Sequence, residues 1–230
     1  MKALSAAPAA TMCLLIAGVP IAHAQSLPLG DGRVTTHPQV GNVYACQTQF
    51  RNGARHDGPW FHGDTWNPDE KPHVGGSILW PAADHALTVS GDRLMMRGNG
   101  LPLDQPTGRF PIQRSDSVYK YDTNPNRIAA QQLAFAIPAR PAKAATPSCL
   151  PMGMIGFSNT GVALYDALDA AGRDAAAHEI QDHCDGHPQG NSQYHYHNGS
   201  SCMPGADSNA PVGWALDGYP ILGGTVPNLV

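Results

Sequence analysis

The 230-residue chain has a net charge of −4, only 14% charged residues, and 25 glycines with 21 prolines. That much Gly and Pro punctuates the backbone too often for long helices, and no basic stripe is present to neutralise phosphates, which excludes nucleic acid as a partner. The composition suits a mainly β, loop-rich domain working outside the cytoplasm.

In chain order, Lys2 precedes an apolar run from Met12 to Val19, and Ala22-His23-Ala24 has the small-x-small form of a signal-peptidase site. The run is too short to anchor in a bilayer. Residues 1–24 therefore read as a cleaved secretory signal, with Gln25 as the first mature residue and a periplasmic or extracellular location. No later segment reaches transmembrane length, so no membrane insertion is expected after cleavage. About 200 residues remain, enough for one domain with a core. Cys13 leaves with the signal, and the four remaining cysteines, an even number in an exported chain, read as two disulfides. Of the three pairings, a local Cys184–Cys202 bridge with Cys46–Cys149 is preferred. The competing reading makes Cys184 and Cys202 zinc thiolates, which an oxidising compartment disfavours.

Residues 25–42 lack apolar periodicity and read as a loosely ordered arm. Val43–Phe50 alternates and ends at Asn52-Gly53, a strong hairpin dipeptide. Ser77–Trp80, His85–Val89 and Arg93–Met96 are short strand-like runs, the last two joined by the turn Ser90-Gly91-Asp92. Gly98–Phe110 reads as an ordered Gly/Pro loop. Asn124-Pro125-Asn126 is a turn before a strand at Ile128–Ile137. Beyond the Pro/Ala-rich segment 139–151, a strand is expected from Val162, a turn at Ala171-Gly172 and a short helix over Ala175–Asp182. Val212–Leu222 reads as two strands joined at Asp217-Gly218, with Pro220 confining its strand to an edge. The expected fold is a compact, disulfide-stapled, β-sandwich-like domain with long Gly/Pro-rich loops and at most two short helices.

Five of the eleven histidines fall between His178 and His197. In an extended segment side chains alternate, so His195 and His197 share one face and Tyr194 and Tyr196 the other. A His-x-His strand is a two-point chelate. His178-Glu179 with His183 resembles H-E-x-x-H but is one residue too long, and on a helix the two histidines would stand about 140° apart. The pairs His178/Asp182 and Glu179/His183 would share a helical face, each a histidine beside a carboxylate. The turn-rich loop Asp185–Asn191 can return His183 or His187 toward His195 and His197. Three imidazoles with an open fourth position suit zinc, and imidazole with tyrosine also suits copper or iron. The sequence thus points to a divalent metal, zinc or copper foremost, held by His195 and His197 with His183 or His187, and His178 as a further ligand candidate. Glu179 and Asp182 are candidates either to hydrogen-bond and orient the ligand histidines or to act as bases. The competing reading is a structural hydrogen-bond network in an extracellular binding module. In that reading Trp60, Phe61 and Trp66 with Asp64 offer a platform for a glycan, although such aromatics are more often core.

Tyr194–His197, with Gly58-Pro59-Trp60, Gly98–Pro102, Pro106-Thr107-Gly108, Tyr121–Asn126, Cys149–Gly153, the block 171–197 and Ala215–Ile221, resembles the YHYH domain family over roughly residues 40–224. The resemblance implies export and a coherent site, and no particular reaction. It also implies a chain that continues past Leu216-Asp217-Gly218-Tyr219. Residues 43–230 are accordingly read as a single YHYH-type domain, either short or C-terminally truncated. The resulting expectation is a metal-dependent hydrolase acting on a small molecule, or a glycan-binding module.

Overall fold

The computed structural model describes residues 26–51 and 57–223. The signal segment, Asn52-Gly53, His56 and the last seven residues lie outside them. Strands form in short pieces, as the spacing of Gly and Pro dictates. The first five hold two residues each: β1 (Leu27–Pro28), β2 (Val34–Thr35), β3 (Val43–Tyr44), β4 (Phe61–His62) and β5 (Thr65–Trp66). They fasten residues 26–44 to the body, β1 pairing with β5 and β2 running parallel to β3. The strand expected over Val43–Phe50 stops at Tyr44. Ala45 bridges to Leu150 instead, and the Cys46 amide donates to the Leu150 carbonyl at 3.0 Å, beside the Cys46–Cys149 disulfide.

An antiparallel meander follows: β6 (His85–Ser90), β7 (Arg93–Gly98) and β8 (Leu133–Pro138). Ser90 pairs with Arg93 across a two-residue loop in which Gly91 takes φ +61°, the left-handed backbone that such turns require. The third strand begins at Leu133, later than expected, because the preceding amides have other partners. Ala129 donates to Ser192 and Gln131 to Asn99.

The main sheet contains β9 (Met154–Ser158), β10 (Ala163–Tyr165), β11 (Gly186–Pro188), β12 (Tyr194–Tyr196), β13 (Pro211–Ala215) and β14 (Pro220–Leu222), in the order β11-β12-β10-β9-β13-β14. Pro220 sits on the edge strand, where its missing N–H costs no ladder bond. Register assigns the faces. Trp214 pairs with Phe157, Phe157 with Ala163, Ala163 with His195, and His195 with His187, so these side chains share one face. At one end of that face Phe157 packs with Leu94, Met96 and Ile137 of the meander, a sheet-on-sheet contact. The opposite face buries Leu164, Tyr194 and Tyr196 with Met203 and Val212, under the loop closed by Cys184–Cys202. The fold is mainly β with two disulfides, as composition and cysteine count predicted. Both cysteine pairings are the preferred ones, and bonded sulfurs are not thiolate ligands.

The expected helix is four residues long, α1 (Ala175–His178), capped by Asp174, whose carboxylate accepts from the Ala177 amide. It ends because Glu179 is extended (φ −92°, ψ 139°) and the chain beyond it pairs with another segment: the Gln181 carbonyl accepts from the Val74 amide. Within Gly58–Pro68 the two tryptophans are core, while His62, Gly63 and Asp64 are exposed. Trp60 is fully buried, donates its ring N–H to the Ala177 carbonyl at 3.0 Å, and packs with Trp66 and Ile180. An open aromatic platform for a glycan is therefore absent from these residues.

Candidate metal centre

The site stands at the free end of the face whose other end carries the meander. β11 and β12 form a hairpin: the Gln189 amide donates to the Gln193 carbonyl, the Ser192 amide donates back to the Gln189 carbonyl, and Ser192 takes φ +68°. The hairpin sets His187 directly opposite His195, and the period of two along β12 sets His197 on the same side. Tyr165, at the end of the parallel neighbour β10, stacks on His195 with ring centroids 3.9 Å apart.

Three imidazoles and one carboxylate converge. His195 Nε2 is 3.1 Å from His197 Nε2, and Glu179 Oε2 is 3.2 Å from both His187 Nε2 and His197 Nε2. The three histidines offer ligand atoms that all lie within 4.8 Å of one another, so they could hold a metal ion. All four side chains are less than a tenth exposed.

Two tautomers follow from hydrogen bonding. His195 Nδ1 faces the Gln193 carbonyl at 3.2 Å and His197 Nδ1 the Asp166 carbonyl at 2.5 Å. A carbonyl only accepts, so each Nδ1 carries the proton and each neutral ring is left with its Nε2 lone pair. With both rings neutral those lone pairs would face each other, a repulsive arrangement that a cation, or the proton that Glu179 favours on His197 Nε2, relieves. Burial first, and then the neighbouring imidazoles, hold His195 well below the ordinary histidine value. Burial also opposes charge on His197, but Glu179 outweighs it and raises that ring. Glu179 is pushed up by burial and pulled down more strongly by His187 and His197, ending well below the usual carboxylate range. His187 Nδ1 is buried without a hydrogen-bond partner among the described residues. A cavity of about 400 Å³ adjoins the group, lined by Glu179, His187, His195 and His197 together with Tyr165 and Gln189.

Other predicted site residues stand elsewhere. His178 is buried between Asp31 Oδ2 (2.9 Å) and Asp57 Oδ1 (3.1 Å) and lies against Phe61, outside the cluster. His183 is exposed beside His73, ring centroids 6.0 Å apart. Since α1 stops before Glu179, the helical pairs His178/Asp182 and Glu179/His183 do not form. Asp182 serves the opposite face, accepting from the amides of Gly108, Cys184 and Gly186 and from the Tyr194 hydroxyl. Tyr194 and Tyr196 likewise point away from the histidines, into the core. Sequence reasoning missed Tyr165 and the carbonyls of Asp166 and Gln193. A main-chain acceptor has no side-chain signature, and the approach of Tyr165 depends on a long-range parallel pairing.

Comparison with curated proteins and with solved structures gave no significant match. The family model described as YHYH protein does match, over residues 134–228, the stretch that includes β9 to β14, all three clustered histidines and Glu179. Across those residues the chain carries a YHYH domain.

Proposed function

We propose that His187, His195 and His197 hold one divalent ion through Nε2, zinc or copper, and that the chain is an exported metal-dependent hydrolase of a small molecule. The observation carrying this reading is the convergence of three buried imidazoles and one carboxylate at 3.1–3.2 Å. Two donors on a tetrahedral ion with bonds of about 2.0 Å are separated by about 3.3 Å, close to the 3.1 Å between His195 and His197, and three imidazole ligands would leave a fourth position for water beside Glu179. The Nδ1–H bonds to Asp166 and Gln193 support it further, because an anchored Nδ1 directs Nε2 at an ion. With every cysteine of the described residues in a disulfide, the donor set is nitrogen and oxygen, which zinc and copper accept. An oxidase using Tyr194 or Tyr196 finds no support, since both lie on the far face.

A bound ion of this kind polarises a carbonyl and lowers the pKa of water. Glu179 accepts the water's proton and returns it to the leaving group; its position against His187 and His197 keeps it ionised for the first task. Tyr165 walls the cavity and fixes the His195 ring by stacking. Two disulfides fit an oxidising compartment, periplasmic or extracellular, and among the described residues no helix is long and apolar enough to cross a membrane.

The test is a screen of ester, amide and phosphoester substrates with and without chelator. Chelator-sensitive turnover is expected, falling roughly 10²- to 10⁴-fold in Glu179→Gln while bound metal stays constant. Turnover indifferent to chelator, or to loss of the Glu179 carboxylate, would refute the mechanism.

A further inference from the structure

Lys71 lies outside the histidine site and is unusual in being only 5% exposed. Its Nζ stands 5.6 Å from the centre of the Trp66 ring, against the core that contains Trp60 and Ile180. The amine donates to the Ala176 carbonyl at 2.5 Å and to Gln181 Oε1, and Gln181 is itself 2% exposed. An ammonium has three donors, and these acceptors account for two. Burial pushes the amine down to about 8 against the pull of Asp185, Glu179, Asp174 and Asp122. A buried amine that gives up its proton readily is a nucleophile, and its contact here is a primary amide.

We propose that Lys71 and Gln181 become joined by an isopeptide bond in the folded protein. Nζ attacks Cδ of the Gln181 carboxamide. The ammonium first gives one proton to solvent; the Nζ–Cδ bond then forms, the Cδ–Nε2 bond breaks, and a second proton from Nζ leaves with Nε2 as ammonia. No oxidant or co-reactant enters. The hydrogen bonding fits the product: its single N–H stays on the Ala176 carbonyl, and Oε1 becomes the isopeptide carbonyl oxygen. The departing Nε2 gives up its bond to the Ala175 carbonyl, which keeps the Glu179 amide as donor at 3.0 Å. Lys71 and Asp185 line a common cavity of about 310 Å³, which gives the amine access to solvent for the proton it must lose. The link spans 110 positions and removes a charged ammonium from the core, adding a third covalent staple to the two disulfides.

The experiment is peptide mapping of the exported wild-type protein after denaturation, reduction and alkylation, read by tandem mass spectrometry. A branched peptide joining the Lys71 and Gln181 segments is expected, lighter than their sum by one ammonia. Mapping is needed because cyclisation of an N-terminal Gln25 would lower the intact mass equally. Lys71→Arg keeps the charge and much of the packing but lacks the amine, so the branched peptide must disappear. Linear peptides with unmodified Lys71 and Gln181 from folded wild-type protein would overturn the proposal, as would a branched peptide persisting in Lys71→Arg.

Discussion

Carboxylates three positions apart, Glu179 and Asp182, have opposite roles. Glu179 faces the imidazoles, where their charge outweighs burial and keeps it ionised. Asp182 faces Tyr194 and three amides, and burial raises it despite those donors. In the proposed hydrolysis the first is the proton carrier; the second is a structural hub. Asp182→Ala strands those donors in the interior, so it should cost about 3 kcal/mol of stability by urea titration. Metal content per folded molecule should not change. If Asp182→Ala were as stable as wild type, the hub assignment would fail. The sequence marked both residues as acidic neighbours of histidine, but their separation depends on Glu179 being extended, which Ala-rich helical propensity obscures.

At the level of elements, the β11–β12 hairpin builds the site. The Tyr-His-Tyr-His alternation was legible because a strand has a period of two, and the turn residues of Asp185–Asn191 announced a reversal that could return His183 or His187; Gly186–Pro188 of that stretch is strand, and it is His187 that returns. The parallel pairing of β12 with β10 was not, because it joins segments far apart in the chain with no local turn to announce it. The hairpin depends on Gly186: a Cβ there would lie 2.2 Å from Tyr194 Cζ. Tyr194 immediately precedes His195 and anchors the strand in the core, so displacing it moves the ligands. Gly186→Ala should cost roughly 1–3 kcal/mol, the range for overpacking, and weaken metal affinity as well. Calorimetry of metal binding checks the second effect; wild-type affinity in Gly186→Ala would show that the ligands do not depend on this packing.

For the whole molecule, most of the class was readable early. Gly and Pro content predicted short strands, and the four cysteines predicted two bridges. How the pieces pack was hidden, since the three hydrophobic clusters unite segments scattered along the chain. Stability should carry one identifiable pH signature. Burial pushes Asp185 up to about 6 from an ordinary 3.8. Between those values the folded protein holds a proton that the unfolded chain has lost, so the contribution of Asp185 to stability falls as pH rises through that window and levels off above it. Asp185→Asn removes this slope. The wild-type-minus-variant difference in unfolding free energy should therefore decline between about pH 4 and 6 and then flatten; a rising difference would mean the carboxyl is stabilised in its charged form.

If His187, His195 and His197 form a metal site, the folded protein holds one ion per chain, and the stoichiometry of bound metal decides it. Purified protein, reconstituted in turn with zinc and copper and then dialysed, should retain one ion per chain by elemental analysis, and His195→Ala/His197→Ala should retain none while keeping both disulfides. Wild-type protein that retains neither ion, or a double variant that binds as well as wild type, would contradict it.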